Sequence, residues 1–137
     1  MGPRREMNNF AFRKTRLAHI ACLDPASAHQ TTRVQTLRVL AAHNTRKSSR
    51  LYEVIDGNDF FSCPVDRSCR STMNVVFRLP TEALEQRFVA EAAAAGMSGL
   101  KGHRSVGGLR ASIYNAAPYA WADTLAQFME AFAAQHG

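Results

Sequence analysis

A basic stretch that runs into a glycine pair is the part of the sequence best suited to bind an anion. His103 and Arg104 precede Gly107-Gly108, and Arg110 follows two residues later. Glycines can adopt positive φ and reverse the chain, so the two basic residues could come near Arg110. An arginine guanidinium holds a carboxylate or a phosphate through two parallel hydrogen bonds. We therefore predict a site for a small molecule with two anionic ends.

The residues after the glycine pair alternate in polarity, which is the pattern of a half-buried β-strand. One face would carry Leu109, Ala111 and Ile113, and the other Arg110, Ser112 and Tyr114. A strand would hold the guanidinium of Arg110 in a fixed direction. The same spacing also fits an exposed hairpin with two solvated arginines, because charged side chains usually lie in water.

Hydrophobic periodicity predicts the elements that would position this motif. We expect a helix over residues 37–55, a strand over 73–79, a helix from Thr81 to Gly96, a short strand over 97–100 and a last helix over 119–135. The order is helix, strand, helix, strand, strand, helix. It indicates an α/β fold of the α+β type, in which helices cover a small, mostly antiparallel sheet.

Composition limits the classes of protein to which the chain could belong. Its 137 residues, 46% of them hydrophobic and 20% charged, are ordinary for one globular domain. No apolar run approaches the length of a membrane span, and the N-terminus lacks the pattern of a secretory signal. Three cysteines without CxxC spacing argue against a disulfide framework or a zinc site. Reduced thiols are the simplest interpretation of these cysteines.

Positive charge is concentrated at the start of the chain. Residues 1–36 hold six Lys or Arg and two Asp or Glu, a net charge of +4 out of the +6 of the whole chain. A basic arm can bind nucleic acid. However, the sequence shows no zinc-finger spacing, no aromatic RNA-binding motif and no clear helix-turn-helix, so nucleic-acid binding is the third alternative for function.

The motif also carries a resemblance to a known family. The run KGHRSVGGLRASIYNA, residues 101–116, resembles the C-terminal signature of the phosphoserine aminotransferases, class V pyridoxal-phosphate enzymes. The segments RLYEVIDGNDFF, RSTMNVVFRLPTEALEQRFVAEAAAAGMSGL and FMEAFAAQHG extend the similarity over about residues 38–137. The resemblance implies the C-terminal small domain of a fold-type I transferase.

The resemblance also implies an activity and roles for the basic residues. The family transfers an amino group between glutamate and 3-phosphohydroxypyruvate in serine biosynthesis, often also in pyridoxine biosynthesis, as a cytoplasmic homodimer with pyridoxal phosphate. Arg110 matches the position that holds the α-carboxylate. His103 and Arg104 match positions that hold the distal phosphate or carboxylate. The cofactor lysine belongs to an upstream domain, so no catalytic residue is expected here, and the chain alone is not expected to transaminate.

Departures from the family pattern leave further alternatives open. Thr72 stands where the family pattern has arginine, and Val76 where it has proline. Residues 1–36 do not reproduce the expected Asn-Thr-Pro-Pro-Thr motif, so we predict a divergent or poorly ordered segment there, before a small domain over residues 37–137. A divergent, frame-shifted or foreign start would explain that segment. The main alternative to the transaminase is a non-catalytic remnant or interaction module that keeps this small-domain fold.

Overall fold

A computed structural model describes residues 29–103 and 105–137, with side chains from residue 35 onward. The three helices and two strands are α1 (His29–Asp56), β1 (Asn74–Phe77), α2 (Glu82–Ala94), β2 (Leu109–Ser112) and α3 (Tyr119–His136), with one turn of 3-10 helix at Arg67–Cys69. Within this part of the chain, the fold class predicted from the sequence is confirmed as α+β.

Helix α1 begins earlier than its hydrophobic pattern predicts. The predicted helix starts at residue 37, but α1 starts at His29 and runs through Gln30, Thr31 and Thr32. Gln and Thr are only modestly poorer helix formers than Ala, so extending an established helix through them costs little. The helix ends at Asp56, next to the predicted stop, and a Cβ at the following Gly57 would lie 2.8 Å from the carbonyl oxygen of Glu53. The predicted division of the chain at residue 36 remains a prediction, and residues 1–28 lie outside the described part.

Strands β1 and β2 pair antiparallel, with Val76 opposite Arg110 and Phe77 opposite Leu109. The short strand predicted over residues 97–100 is wrong. That segment is irregular, and a single isolated bridge joins Lys101 to Leu109. Gly96 and Gly99 adopt φ of +86° and +80°, which turn the chain out of an extended path.

The core lies between the inner face of this sheet and the three helices. The ring of Phe88 on α2 stands at the centre, 5.0 Å from the ring of Phe132 on α3 and 5.8 Å from that of Phe77 on β1, in edge-on geometry. Such pairs add to the stabilisation from burial alone. The helical spacing of apolar residues predicts a buried stripe on α3, which the structure confirms for Leu125, Met129, Phe132 and Ala133 and leaves half-buried at Phe128.

Local capping chemistry begins α2 as predicted. Thr81 is the N-cap, and its hydroxyl oxygen accepts a hydrogen bond of 3.3 Å from the backbone N–H of Leu84. Glu82 and Glu85 lie in the first turn, where the helix dipole favours negative charge. Helix α2 therefore places carboxylates beside the loop that precedes β2.

Candidate anion-binding site

Arg110 is the best-positioned member of the predicted site. It lies on β2 between Leu109 and Ala111, which are 2% and 1% exposed, and its backbone N–H donates to the carbonyl of Leu100 at 2.8 Å. These contacts confirm the alternation predicted for this strand. The Arg110 side chain leaves the opposite, polar face of the sheet from a backbone that is held on both sides.

The guanidinium of Arg110 lacks an acceptor among the described residues. Its Nε is shielded from solvent and makes no hydrogen bond, and none of the described carboxylates pairs with it. A shielded donor without a partner costs about 1–3 kcal/mol, and more on a charged group. An anionic ligand would remove that cost, because its oxygens can accept from the guanidinium fork.

The glycine pair before β2 has the conformation that the sequence predicts. Gly107 and Gly108 both adopt φ of +71°. The base of the loop is closed by a hydrogen bond of 2.9 Å from the N–H of Gly102 to the carbonyl of Gly108. A Cβ at Gly102 would lie 2.6 Å from the same oxygen, so the close approach needs glycine at this position.

His103 lies exposed on this loop. Its Nδ1 is 2.8 Å from the hydroxyl of Ser105, and its carbonyl accepts a bond of 2.8 Å from the N–H of Gly107. Arg104, the third predicted site residue, lies outside the described residues. The approach of His103 and Arg104 to Arg110 therefore remains a prediction.

A second arginine, which the site prediction omitted, shares the polar face with Arg110. Arg78 directly follows β1, and its Nη2 donates to the carbonyl of Val106 in the loop. The alternation of residues 73–79 already placed Arg78 on the same face as Val76, which lies opposite Arg110. That sequence signal could have added Arg78 to the candidate site.

The two departures from the family pattern lie in different settings. Val76 is half-buried at the middle of β1, directly opposite Arg110, so it contributes an apolar side chain to the floor beside the guanidinium. Thr72 is exposed in the bend before β1.

The hydroxyl of Ser112, at the end of β2, donates to the Oδ1 of Asn74, at the start of β1, at 3.0 Å.

A cleft between α2 and the loop before β2 has mixed charge. It has a volume of about 430 Å³, with Glu82 and Glu85 on the side of α2 and Lys101 and His103 on the side of the loop. Its lining does not include Arg110. Two carboxylates at its wall disfavour a dianionic ligand, so the polar face of the sheet is the better anion site.

A buried lysine supports the chain just after β2, and sequence analysis missed it. The Nζ of Lys47 on α1 donates to the carbonyls of Ile113, Tyr114 and Ala117 at 3.0, 2.7 and 3.0 Å. Burial lowers the pKa of Lys47 from its ordinary value. All three ammonium protons have an acceptor, which suits a structural role for this lysine.

Similarity to known proteins agrees with this geometry. The chain is 56% identical over 102 residues to a phosphoserine aminotransferase of Laribacter hongkongensis, and the match covers 74% of this chain and 28% of that protein. It is 52% identical over 101 residues to the chloroplastic phosphoserine aminotransferase 1 of Arabidopsis thaliana, a match that covers 73% of this chain and 24% of that protein. No family model matches the chain.

Solved structures give the same result. The phosphoserine aminotransferase of Bacillus circulans subsp. alkalophilus matches with a TM-score of 0.67 and 52% identity, over 69% of this chain and 26% of that one. A pyridoxal-phosphate-bound phosphoserine aminotransferase of Trichomonas vaginalis matches with a TM-score of 0.61 and 38% identity, over 65% and 26%.

The fold and these neighbours define a small α+β domain of the kind found in fold-type I pyridoxal-phosphate transferases. The matched part of the chain is related to phosphoserine aminotransferase, so the resemblance predicted from the sequence is confirmed. The chain spans only 24% to 28% of the length of curated relatives that it matches. That coverage fits the prediction of a C-terminal portion.

The described part of the chain offers neither a membrane span nor a metal cluster. None of its helices is both long and apolar enough to cross a bilayer. Within the same residues, His, Cys, Asp and Glu side chains nowhere gather in a group of three that could hold a metal ion.

Proposed function

We propose that this chain supplies the substrate-anion contacts of a phosphoserine aminotransferase. The observation that carries the proposal is the guanidinium of Arg110, which projects from a rigid strand with a shielded Nε and no acceptor among the described residues. The similarity of the chain to phosphoserine aminotransferases supplies the chemical class of the ligand.

Each end of the substrate has a partner in this proposal. Arg110 binds the α-carboxylate, which phosphoserine and glutamate share. His103 and Arg104 bind the distal group, a phosphate in one substrate and a carboxylate in the other. Both distal groups present paired oxygens, to which a guanidinium fork donates in the same way. The chain thus orients the amino acid, and the two ends fix which atoms face the reaction centre.

The cofactor belongs to another part of the enzyme in this proposal. When it is bound, pyridoxal phosphate supplies the electron sink for amino-group transfer. The two described lysines do not fit its attachment: Lys47 is buried with three carbonyl acceptors, and Lys101 stands exposed on the loop beside Glu82 and Glu85. We therefore assign cofactor binding to the portion of the relatives that this chain does not match.

The same proposal covers the compartment, the oligomeric state and the substrates of the complete enzyme. The complete enzyme would be a cytoplasmic homodimer of serine biosynthesis, acting on phosphoserine and glutamate. A non-catalytic interaction module is the second candidate, favoured by Leu37 and Val39 of α1, whose side chains are 66% and 68% exposed. They lie two residues apart, on different faces of the helix, so each offers a separate apolar contact to a partner.

An NMR titration of the full chain with phosphoserine tests the anion site. The side-chain N–H resonances of Arg110 should shift and saturate, because the ligand carboxylate accepts from the guanidinium. Arg110→Lys should abolish most of the affinity, since an ammonium cannot form the paired bonds of a guanidinium. Arg87→Lys is the matched control, because Arg87 pairs with Glu91 on the exposed side of α2. Equal binding by both variants would contradict the proposal.

A further inference from the structure

We propose that Arg78 is a positioning residue that clamps the loop carrying His103 against the sheet. By fixing this loop relative to Arg110, Arg78 would set how well the distal anionic group of a ligand is bound. The inference rests on the proposed function for its ligand. The clamp itself rests on contacts of Arg78 with the loop.

The base of the Arg78 side chain is rigid. Its backbone exchanges two hydrogen bonds with Ser62: the N–H of Ser62 donates to the carbonyl of Arg78 at 3.0 Å, and the N–H of Arg78 donates back at 2.8 Å. The neighbouring Phe77 and Leu79 are both buried in the core. The guanidinium therefore extends from a fixed point at the end of β1.

The guanidinium of Arg78 lies against the glycine pair of the loop. Its Nη2 donates to the carbonyl of Val106. A Cβ at Gly107 would lie 3.6 Å from the same nitrogen, and one at Gly108 would lie 3.2 Å from the Cγ of Arg78. The distance at Gly107 is ordinary contact, whereas that at Gly108 is tight, so the absence of a side chain at Gly108 lets the Arg78 stem pack on the turn.

Little else among the described residues holds the tip of this loop. The other hydrogen bonds of residues 102, 103 and 105–108 to described partners stay inside the loop, from Gly102 to Gly108, from Val106 and Gly107 to His103, and between His103 and Ser105. The side chain of Val106 is 62% exposed and adds little packing. Among the described residues, the bond from Arg78 to Val106 thus ties the loop tip to β1.

Arg78 is also a diagonal neighbour of Arg110. Val76 lies opposite Arg110 in the sheet register, and Arg78 follows two residues later on the same face. Diagonal positions on one face of an antiparallel pair are typically about 7–8 Å apart. The clamp thus connects the loop with the face that presents Arg110, and a shift of Arg78 would change the spacing between the two ends of the site.

The test compares three variants of the full 137-residue chain. Arg78→Met keeps an apolar stem but removes every donor, whereas Arg78→Lys retains one charged donor and should partly restore the clamp. Arg87→Met makes the same change on the exposed side of α2. Backbone ¹⁵N relaxation of residues 105–108 reports loop order, and NMR titrations with phosphoserine, glutamate and alanine report affinity.

We expect Arg78→Met to mobilise residues 105–107 and weaken phosphoserine about tenfold, the effect of losing one charge-assisted hydrogen bond. Alanine has no distal anion, so its affinity should stay within about twofold of the parent chain. Arg78→Lys should recover part of both losses, and Arg87→Met should show neither. A loss of affinity that is limited to ligands with a distal anion separates positioning from general destabilisation.

Two results would overturn the inference. Unchanged relaxation of residues 105–108 in Arg78→Met would show that Arg78 does not hold the loop. Equal weakening of phosphoserine and alanine would show that Arg78 acts at the α-carboxylate, as a direct ligand beside Arg110. If the parent chain binds none of the three amino acids, the proposed function and the affinity effect both fail, and the relaxation data alone decide whether the clamp exists.

Discussion

The Nζ of Lys47 lies 2.7 Å from the carbonyl oxygen of Tyr114, which joins the middle of α1 to the turn that follows β2. Two further carbonyls, of Ile113 and Ala117, complete the shell around this buried ammonium. Close by, the side-chain amide of Asn44 donates to the Oδ1 of Asn115 at 2.6 Å. The turn between β2 and α3 is therefore held by α1, and with it the end of the strand that carries Arg110.

Replacing the buried ammonium should destabilise the whole unit. Lys47→Met keeps a stem of similar size but removes the ammonium donor from three carbonyls. The carbonyl of Tyr114 keeps the N–H of Ala117 as a donor, and the carbonyl of Ala117 keeps Nε2 of His43 at 3.2 Å. The carbonyl of Ile113 therefore loses the most, and we expect the free energy of unfolding to fall by about 1–3 kcal/mol, the cost of a buried unsatisfied acceptor. Urea unfolding followed by circular dichroism measures it.

The control for Lys47→Met is Lys101→Met, the same chemical change on an exposed lysine. It should alter the free energy of unfolding by less than about 0.5 kcal/mol. A Lys47→Met chain as stable as the Lys101→Met chain would show that the carbonyl shell is not needed.

Acid should weaken the link between α1 and the segment before β1. The Asp56 carboxylate accepts from the Arg70 guanidinium at 2.7 and 2.9 Å, and these bonds lower the pKa of Asp56 from its ordinary value of 3.8. A lowered folded-state pKa means that the stabilisation is complete above pH 3.8 and disappears as the pH falls through the folded value.

Asp56→Asn removes this titration and so tests its sign. The variant should be less stable at pH 7 by about 1 kcal/mol, typical of a partly exposed ion pair. The difference between the parent chain and the variant should shrink as the pH falls from 5 toward 2. A difference that stays constant, or grows, across that range would contradict the assignment.

A side chain at Gly108 should be poorly tolerated. Its φ is +71°, and a Cβ there would lie 3.1 Å from the carbonyl oxygen of Phe77 and 3.2 Å from the Cγ of Arg78. Gly108→Ala should lower the free energy of unfolding by about 2–3 kcal/mol, from backbone strain together with crowding.

Gly99→Ala separates the two causes. Gly99 has φ of +80°, yet a Cβ there would meet no atom within 4 Å. Its substitution should cost only the strain, about 1 kcal/mol. Equal losses at Gly99 and Gly108, measured by thermal unfolding, would mean that packing of the glycine pair against β1 contributes nothing.

The sequence was sufficient for the elements whose causes are local. Alternation placed Leu109 and Ala111 in the core and Arg110 on the other face, and the glycine pair has the positive φ that its composition allows. The N-cap at Thr81 follows from one side chain and its own turn. In each case, the physical cause lies within a few residues of its effect.

Features that depend on distant contacts could not be predicted in this way. Lys47 meets its acceptors 66 to 70 residues along the chain, and a lysine within a helical pattern is normally expected in water. The contact of Arg78 with Val106 spans 28 residues. The prediction of a strand before Lys101 was wrong for a local reason. Gly96 and Gly99 adopt positive φ and turn a segment that its sequence pattern indicates as extended.

A chimeric enzyme tests the central claim, that Arg110 holds the carboxylate shared by both substrates. Residues 38–137 would replace the matching portion of the Laribacter hongkongensis phosphoserine aminotransferase, to which this chain is 56% identical. The measurement is kcat/KM with phosphoserine and with glutamate, for the chimera and for its Arg110→Ala and Arg87→Ala variants. Arg110→Ala should lose about 2–4 kcal/mol of transition-state stabilisation on both substrates, and Arg87→Ala almost none. Values for Arg110→Ala that match those of Arg87→Ala on both substrates would contradict the account.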